Sequence, residues 1–104
     1  MTEHVVTLDL DGVTDKAGLM DRCARALDLP DWFGRNWDAL ADSLSDPTVW
    51  PQGAPERGLL VVVRNWRPYA EARPAEWRTA REVFAQAVDR TPELSVALAL
   101  GGSS

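Results

Sequence analysis

Three aspartates recur at four-residue intervals in the stretch FGRNWDALADSLSD: Asp38, Asp42 and Asp46. At helical spacing Asp38 and Asp42 stack on one face, roughly 5–6 Å apart at Cβ, away from the apolar stripe of Trp37, Leu40, Ala41 and Leu44. No Lys or Arg follows within the next turn. A like-charged pair of this kind costs an isolated helix about 0.2–0.5 kcal/mol. Either water absorbs that cost, or the face is held ready for something cationic. As a metal site, three acids along one helix are too open without further ligands. As a general acid and base they lack the apolar pocket that would separate their pKa values.

The rest of the reactive inventory is thin. His4 is the one imidazole, near the start of a strand, and Cys23 is the one thiol, set among Leu19, Met20, Ala26 and Leu27 as a small core residue. No spacing signals a Ser/His/Asp or Cys/His arrangement, and neither type of glycine-rich phosphate loop is present. Catalysis is therefore disfavoured, and no cofactor or metal is implied. The acidic balance, 16 Asp and Glu against 11 Lys and Arg for a formal charge of −5, opposes general affinity for nucleic acid or anionic membrane and suits a basic partner. A lone cysteine and an N-terminus carrying acids where a signal peptide carries bases point to a cytoplasmic location.

The elements that must position these acids follow from pattern. HVVTLDLDG alternates apolar residues at Val6, Leu8 and Leu10 and stops at Asp11-Gly12, a strand and its turn. A helix follows, with Thr14 or Asp15 as N-cap and apolar residues at 19, 20, 23, 26 and 27, ending between Asp28 and Pro30. The helix with the acids is next. Asp46 to Gly58 holds three prolines and two glycines and is expected to be a loop, in which Trp50 needs a surface to rest against. GLLVVVRNW is a nearly continuous aliphatic run, the central strand, expected to be covered on both faces. NWRPYAEA suggests a short helix with Asn65 near its cap, Pro74 to about Val88 a longer one with Trp77, Ala80, Phe84 and Ala87 buried, and LSVALAL a last strand. Trp37 and Trp66 are also expected in the core, and Arg64, Arg67, Arg73 and Arg78 in solvated pairs with Glu71, Glu76 and Glu82. The expected fold is α/β: one domain over residues 1–100, a small three-stranded parallel sheet packed with about four helices, and a flexible tail at 101–104.

The run LDLPDWFGRNWDALADSLSD, with Leu29-Pro30, Asp31, Trp32-Phe33, Gly34, Asn36 and Asp38-Ala39-Leu40, resembles the barstar family, intracellular inhibitors of secreted microbial guanyl-specific ribonucleases. The order of elements also resembles that family's over nearly the whole chain. In the family the aspartate helix and the loop before it plug the ribonuclease active site, with carboxylates where RNA phosphates would lie. The resemblance implies that Asp42 enters the phosphate site and meets the enzyme's arginines and catalytic histidine. Asp38 would meet a second basic group, Asn36 and Gly34 would give polar and backbone contacts, and Trp32 would pack on an enzyme side chain. Trp50 aligns with a second contact aromatic. Arg35 stands where the prototype has an acid and is expected to pair with Asp31 or Asp38. Ala41 replaces an aromatic, and Gln86 sits where the prototype places an outlying acidic contact. These departures imply a different target ribonuclease or a weaker grip. The resulting expectation is a free monomer that binds a secreted ribonuclease one to one. The alternative is a barstar-fold binding or immunity module for another toxin or regulatory partner.

Overall fold

A computed structural model describes residues 3–30 and 33–99. The chain runs β1 (His4–Asp9), α1 (Lys16–Ala26), α2 (Trp37–Leu44), a 3-10 turn (Pro47–Val49), α3 (Ala54–Arg57), β2 (Leu59–Arg64), α4 (Arg67–Ala72), α5 (Pro74–Arg90) and β3 (Leu94–Leu98). The strands form one parallel sheet in the order β1-β2-β3, in register His4 with Leu59 with Leu94, so the aliphatic run is indeed central. Five α-helices are present among the described residues, in line with the expected layout, the short α3 arising because the proline-rich loop winds into a 3-10 turn and one helical turn. Pro47 and Pro55 sit in the first turns of these two pieces, where the missing N–H costs nothing.

Side-chain alternation along each strand sends Val6 and Leu8, Leu59, Val61 and Val63, and Leu94 to the face beneath the helices, where all are buried. The central strand is not covered on both faces, contrary to expectation. On the other face Val5 is 57% exposed, while Leu60 and Val62 are half-buried. Parallel neighbours on both sides, Val5 and Thr7 on β1 and Ser95 and Ala97 on β3, shelter these two without a helix layer. β-Branched and aliphatic residues suit that cross-strand packing.

The helix layer closes the core. Asp15 caps α1, its Oδ1 accepting from Gly18 N at 2.9 Å, and Leu19, Met20 and Cys23 face inward. Burial pushes the Cys23 thiol up to about 12, so it stays protonated and inert. On α5 the stripe Trp77, Ala80, Val83, Phe84 and Ala87 is buried, and this helix packs against α2, α4 and β3. Leu40 and Leu44 are buried as expected, whereas Trp37 and Trp66 are half-buried. Trp66 stacks on Trp77 with ring centroids 5.3 Å apart, and its Nε1 donates to Ala99 O at 2.9 Å.

Asn65 lies next to Trp66, the N-cap of α4, as expected, but its side chain does not bond the helix: the residue adopts φ 55, and its Nδ2 donates to Asp9 Oδ1 at 2.9 Å, joining the C-terminal ends of β1 and β2. That bond, followed by the Asp11 N–H, holds the Asp9 carboxyl below its ordinary value. One local expectation is corrected: Arg64, Arg67, Arg73 and Arg78 do not pair with Glu71, Glu76 or Glu82 among the described residues. Arg73 Nε donates to Thr14 O at 3.1 Å, Arg67 lies over the Trp66 ring, and Glu76 accepts from the Tyr69 hydroxyl.

Candidate functional site

The loop before α2 is shaped by three adjacent residues. Asn36 is the N-cap: its Oδ1 accepts from Ala39 N at 2.7 Å, while its Nδ2 donates to Gly34 O at 3.3 Å. One side chain thus satisfies an orphan helix donor and fixes the incoming turn. Gly34 lies so close that an added Cβ would meet Asn36 Nδ2 at 3.1 Å and Ala39 Cβ at 3.4 Å. Between them Arg35 adopts the left-handed φ 54, a conformation that disfavours side chains bearing Cβ.

Arg35 does not pair with Asp38, and Asp31 lies outside the described residues, as does Trp32. The left-handed turn instead aims the guanidinium at α1, where Nη1 lies 3.5 Å from Asp21 Oδ1. Asp21 is shared with Arg25 at 3.3 Å. These side chains are largely solvated, so each pair contributes at most about 1 kcal/mol. Its effect is positional: the one cation in the loop is drawn away from α2.

Asp38 and Asp42 are both exposed on α2, and neither forms an ion pair among the described residues. Asp38 stands in the first turn, where the positive end of the helix dipole favours an acid. Asp42 has no such support. It lines a groove of about 260 Å³ together with Phe33, Gly34, Ala39, Ser43, Asp46 and Val49. The floor is apolar and the rim acidic, an arrangement that accepts a flat cationic group over its stem.

Asp46, weighed above with Asp38 and Asp42 but not among the expected partner contacts, lines the same groove. Its Oδ1 accepts from the Thr48 hydroxyl at 2.6 Å and from Thr48 N at 3.0 Å, capping the 3-10 turn. The hydroxyl bond, followed by the backbone bond, holds its carboxyl below the usual range. The signal was present in Asp46-Pro47-Thr48, an acid directly before a proline at a first helical position.

Trp50 requires a correction. It is only 6% exposed, and its Nε1 donates to Leu44 O at 3.2 Å, a carbonyl at the C-terminal end of α2. The large ring that the loop carries is used to anchor that loop under α2, so its surface is unavailable to a partner in this conformation. Gln86 is exposed on α5, the helix against which α2 packs. No cluster of three or more His, Cys, Asp or Glu among the described residues is placed to hold a metal ion. Nor is any helix of the described residues long and apolar enough to cross a membrane.

The site is thus a short helix on a three-stranded parallel sheet, presenting carboxylates without an ion pair among the described residues beside a shallow groove. The family model described as Barstar (barnase inhibitor) matches residues 3–100, nearly the whole chain, and the chain belongs to that family. The family consists of inhibitors rather than enzymes and implies a ribonuclease as the binding partner. No curated protein matches the chain.

Proposed function

We propose that this protein inhibits a secreted microbial guanyl-specific ribonuclease by occluding its active site with α2 and the loop before it, and so protects the cell that makes the enzyme. The supporting observation is the pair Asp38 and Asp42: both exposed, stacked one turn apart, and without an internal cation, while the nearest arginine of the loop is committed to α1. A ribonuclease active site binds phosphates with fixed basic groups. A rigid helix presenting carboxylates at that spacing meets those groups with little ordering cost and speeds encounter through long-range attraction. Asp42 takes the phosphate site, Asp38 a second basic group, and Asn36 and Gly34 the polar rim. The family resemblance adds Asp31 and Trp32 as partner contacts, and Gln86 adds an uncharged outlying contact. The complex is one to one and cytoplasmic.

Titration calorimetry against a guanyl-specific microbial ribonuclease tests the reading. Wild-type binding should weaken with salt, be competed by guanine nucleotides, and fall by at least about 2 kcal/mol in Asp42→Ala, the level of a charged hot spot. That level is the one known from charged hot spots, the barnase–barstar pair among them. Absence of heat in every condition, with RNA cleavage unaffected, would reject it. A second reading, a toxin or regulator other than a guanyl-specific ribonuclease, is favoured by Arg35, which reverses one charge beside the binding face. Tight binding that guanine nucleotides fail to displace would select it.

A further inference from the structure

The two edges of the sheet are treated differently. Along β1 the C-terminal end of the outer edge is taken: Arg22 Nη1 donates to the carbonyl oxygen of Asp9 at 2.7 Å, and α1 packs on this strand. Such charged cover is how natural sheets block further pairing. β3 has no equivalent among the described residues. Its pairing with β2 uses the odd-numbered residues, with Leu59 N donating to Glu93 O and Ala99 N to Val63 O, each at the strand ends. The N–H and C=O groups of Val96 and Leu98 therefore point out of the sheet, and they make no hydrogen bond among the described residues.

Beside this free edge runs a groove of about 390 Å³ between β3 and α5, floored by Phe84, Ala85, Val88, Val96 and Leu98, with Arg81 and Asp89 in its walls. Val88 is 37% exposed there. We propose that the β3 edge and this groove form the two-fold interface of a homodimer, in which β3 pairs antiparallel with β3 of a second copy and the two sheets become one of six strands.

The occupant is a second copy because the surface is complementary to itself. A tight turn, closed by Leu94 N donating to Thr91 O at 2.9 Å, folds β3 back along α5. Asp89 therefore lies toward the start of β3, and Arg81 toward its end. A two-fold axis through Ala97 sets Val96 opposite Leu98 of the other copy, so every outward N–H and C=O of these residues is paired. Ala97 then faces itself with minimal bulk. The same axis brings Arg81 of each copy toward Asp89 of the other, and neither residue has an ion pair among the described residues. Val83, Gln86 and Arg90 occupy the opposite flank of α5, and Ser45, directly after α2, accepts from the Thr91 hydroxyl. The α2 face thus stays open in the dimer.

Sedimentation of the full chain from micromolar to near-millimolar concentration, at low salt, tests the proposal. The average mass should climb from one chain toward two. Arg81→Asp and Asp89→Arg should each weaken association by about tenfold, since each turns two attractions into two repulsions, and the double swap should restore it. Circular dichroism confirms that the variants fold. A single-chain mass at every concentration overturns the proposal, as do single swaps without effect or a double swap that fails to rescue. Protection of the Val96 and Leu98 amides only upon adding a ribonuclease would likewise overturn it, by giving the groove to that partner.

Discussion

Asp42→Asn should make the free protein more stable and the inhibitor worse. Two contributions can be worked from the helix it occupies. Asp38 lies one turn earlier on the same face, and relief of that like-charge contact is worth about 0.2–0.5 kcal/mol. Asp42 also lies toward the C-terminal end of α2, whose last turn holds no basic residue, and an acid near the negative end of a helix costs about 0.3–1 kcal/mol. Asparagine keeps the shape and has a comparable helix propensity. The carboxylate forms no ion pair among the described residues that the change would break. The sum is near ~1 kcal/mol, which for a domain of this size raises the thermal midpoint by about 4–6 °C. Thermal unfolding followed by circular dichroism at pH 7 and low salt reads this directly. In 1 M salt, where the screening length is about 3 Å, most of the gain should vanish. A midpoint that is unchanged or lower at low salt would refute the reasoning, because the carboxylate would then be supporting the fold instead of being held for a partner.

Other consequences are open to equally direct checks. Trp50→Phe removes the Nε1 donor to Leu44 and part of a buried ring, and should cost about 1–2 kcal/mol in denaturant unfolding while leaving ribonuclease affinity unchanged. Asn36→Ala strips the cap from α2 and releases Gly34. About 1 kcal/mol of stability should go, with affinity falling alongside it as the loop loosens. The Asp46 carboxyl titrates below its ordinary value of 3.8, so its interactions stabilise the fold above that pH and are lost as pH falls through the lowered value. Carboxyl-carbon NMR on Thr48→Val should show the Asp46 titration moving up toward, but not reaching, the ordinary value, because the Thr48 N–H remains.

β1, the long α5 and the helix bearing the acids were legible in the sequence because each repeats one period over its length, alternation in HVVTLDL and a stripe at Trp77, Ala80, Phe84 and Ala87, while β2 was legible as an unbroken aliphatic run. What escaped were features decided by tertiary contact. Periodicity could not tell that Leu60 and Val62 are sheltered by neighbouring strands rather than by helices, since both arrangements favour the same residue types. That Trp50 needs a surface to rest against was legible, but not which one: it is buried under α2, where Leu44 O offers its indole nitrogen a partner. Arg35 illustrates a further limit: its direction is set by a left-handed backbone, and no side-chain spacing announces that. Within the site, the Asn36 cap and the Asp38–Asp42 pair follow from local spacing, whereas the groove that joins Asp42 to Asp46 depends on how the 3-10 turn folds against Phe33.

The parallel register has a consequence for when the binding surface comes into being. His4 pairs with Leu59, and between these two strands lie α1, α2, the 3-10 turn and α3. The acidic α2 and the loop before it are therefore contained in a single crossover connection, and no strand can pair with its neighbour until that connection has been synthesised. Closing so long a loop is slow and costly in entropy before any ladder bond is gained. On a ribosome β1 emerges first and stays without a partner until β2 follows. The acids of α2 are thus not a local epitope that a fragment could display. They become a surface only when the two strands on either side of them close, so partial synthesis or truncation within β2 yields a chain that contains Asp38 and Asp42 without holding them as a surface.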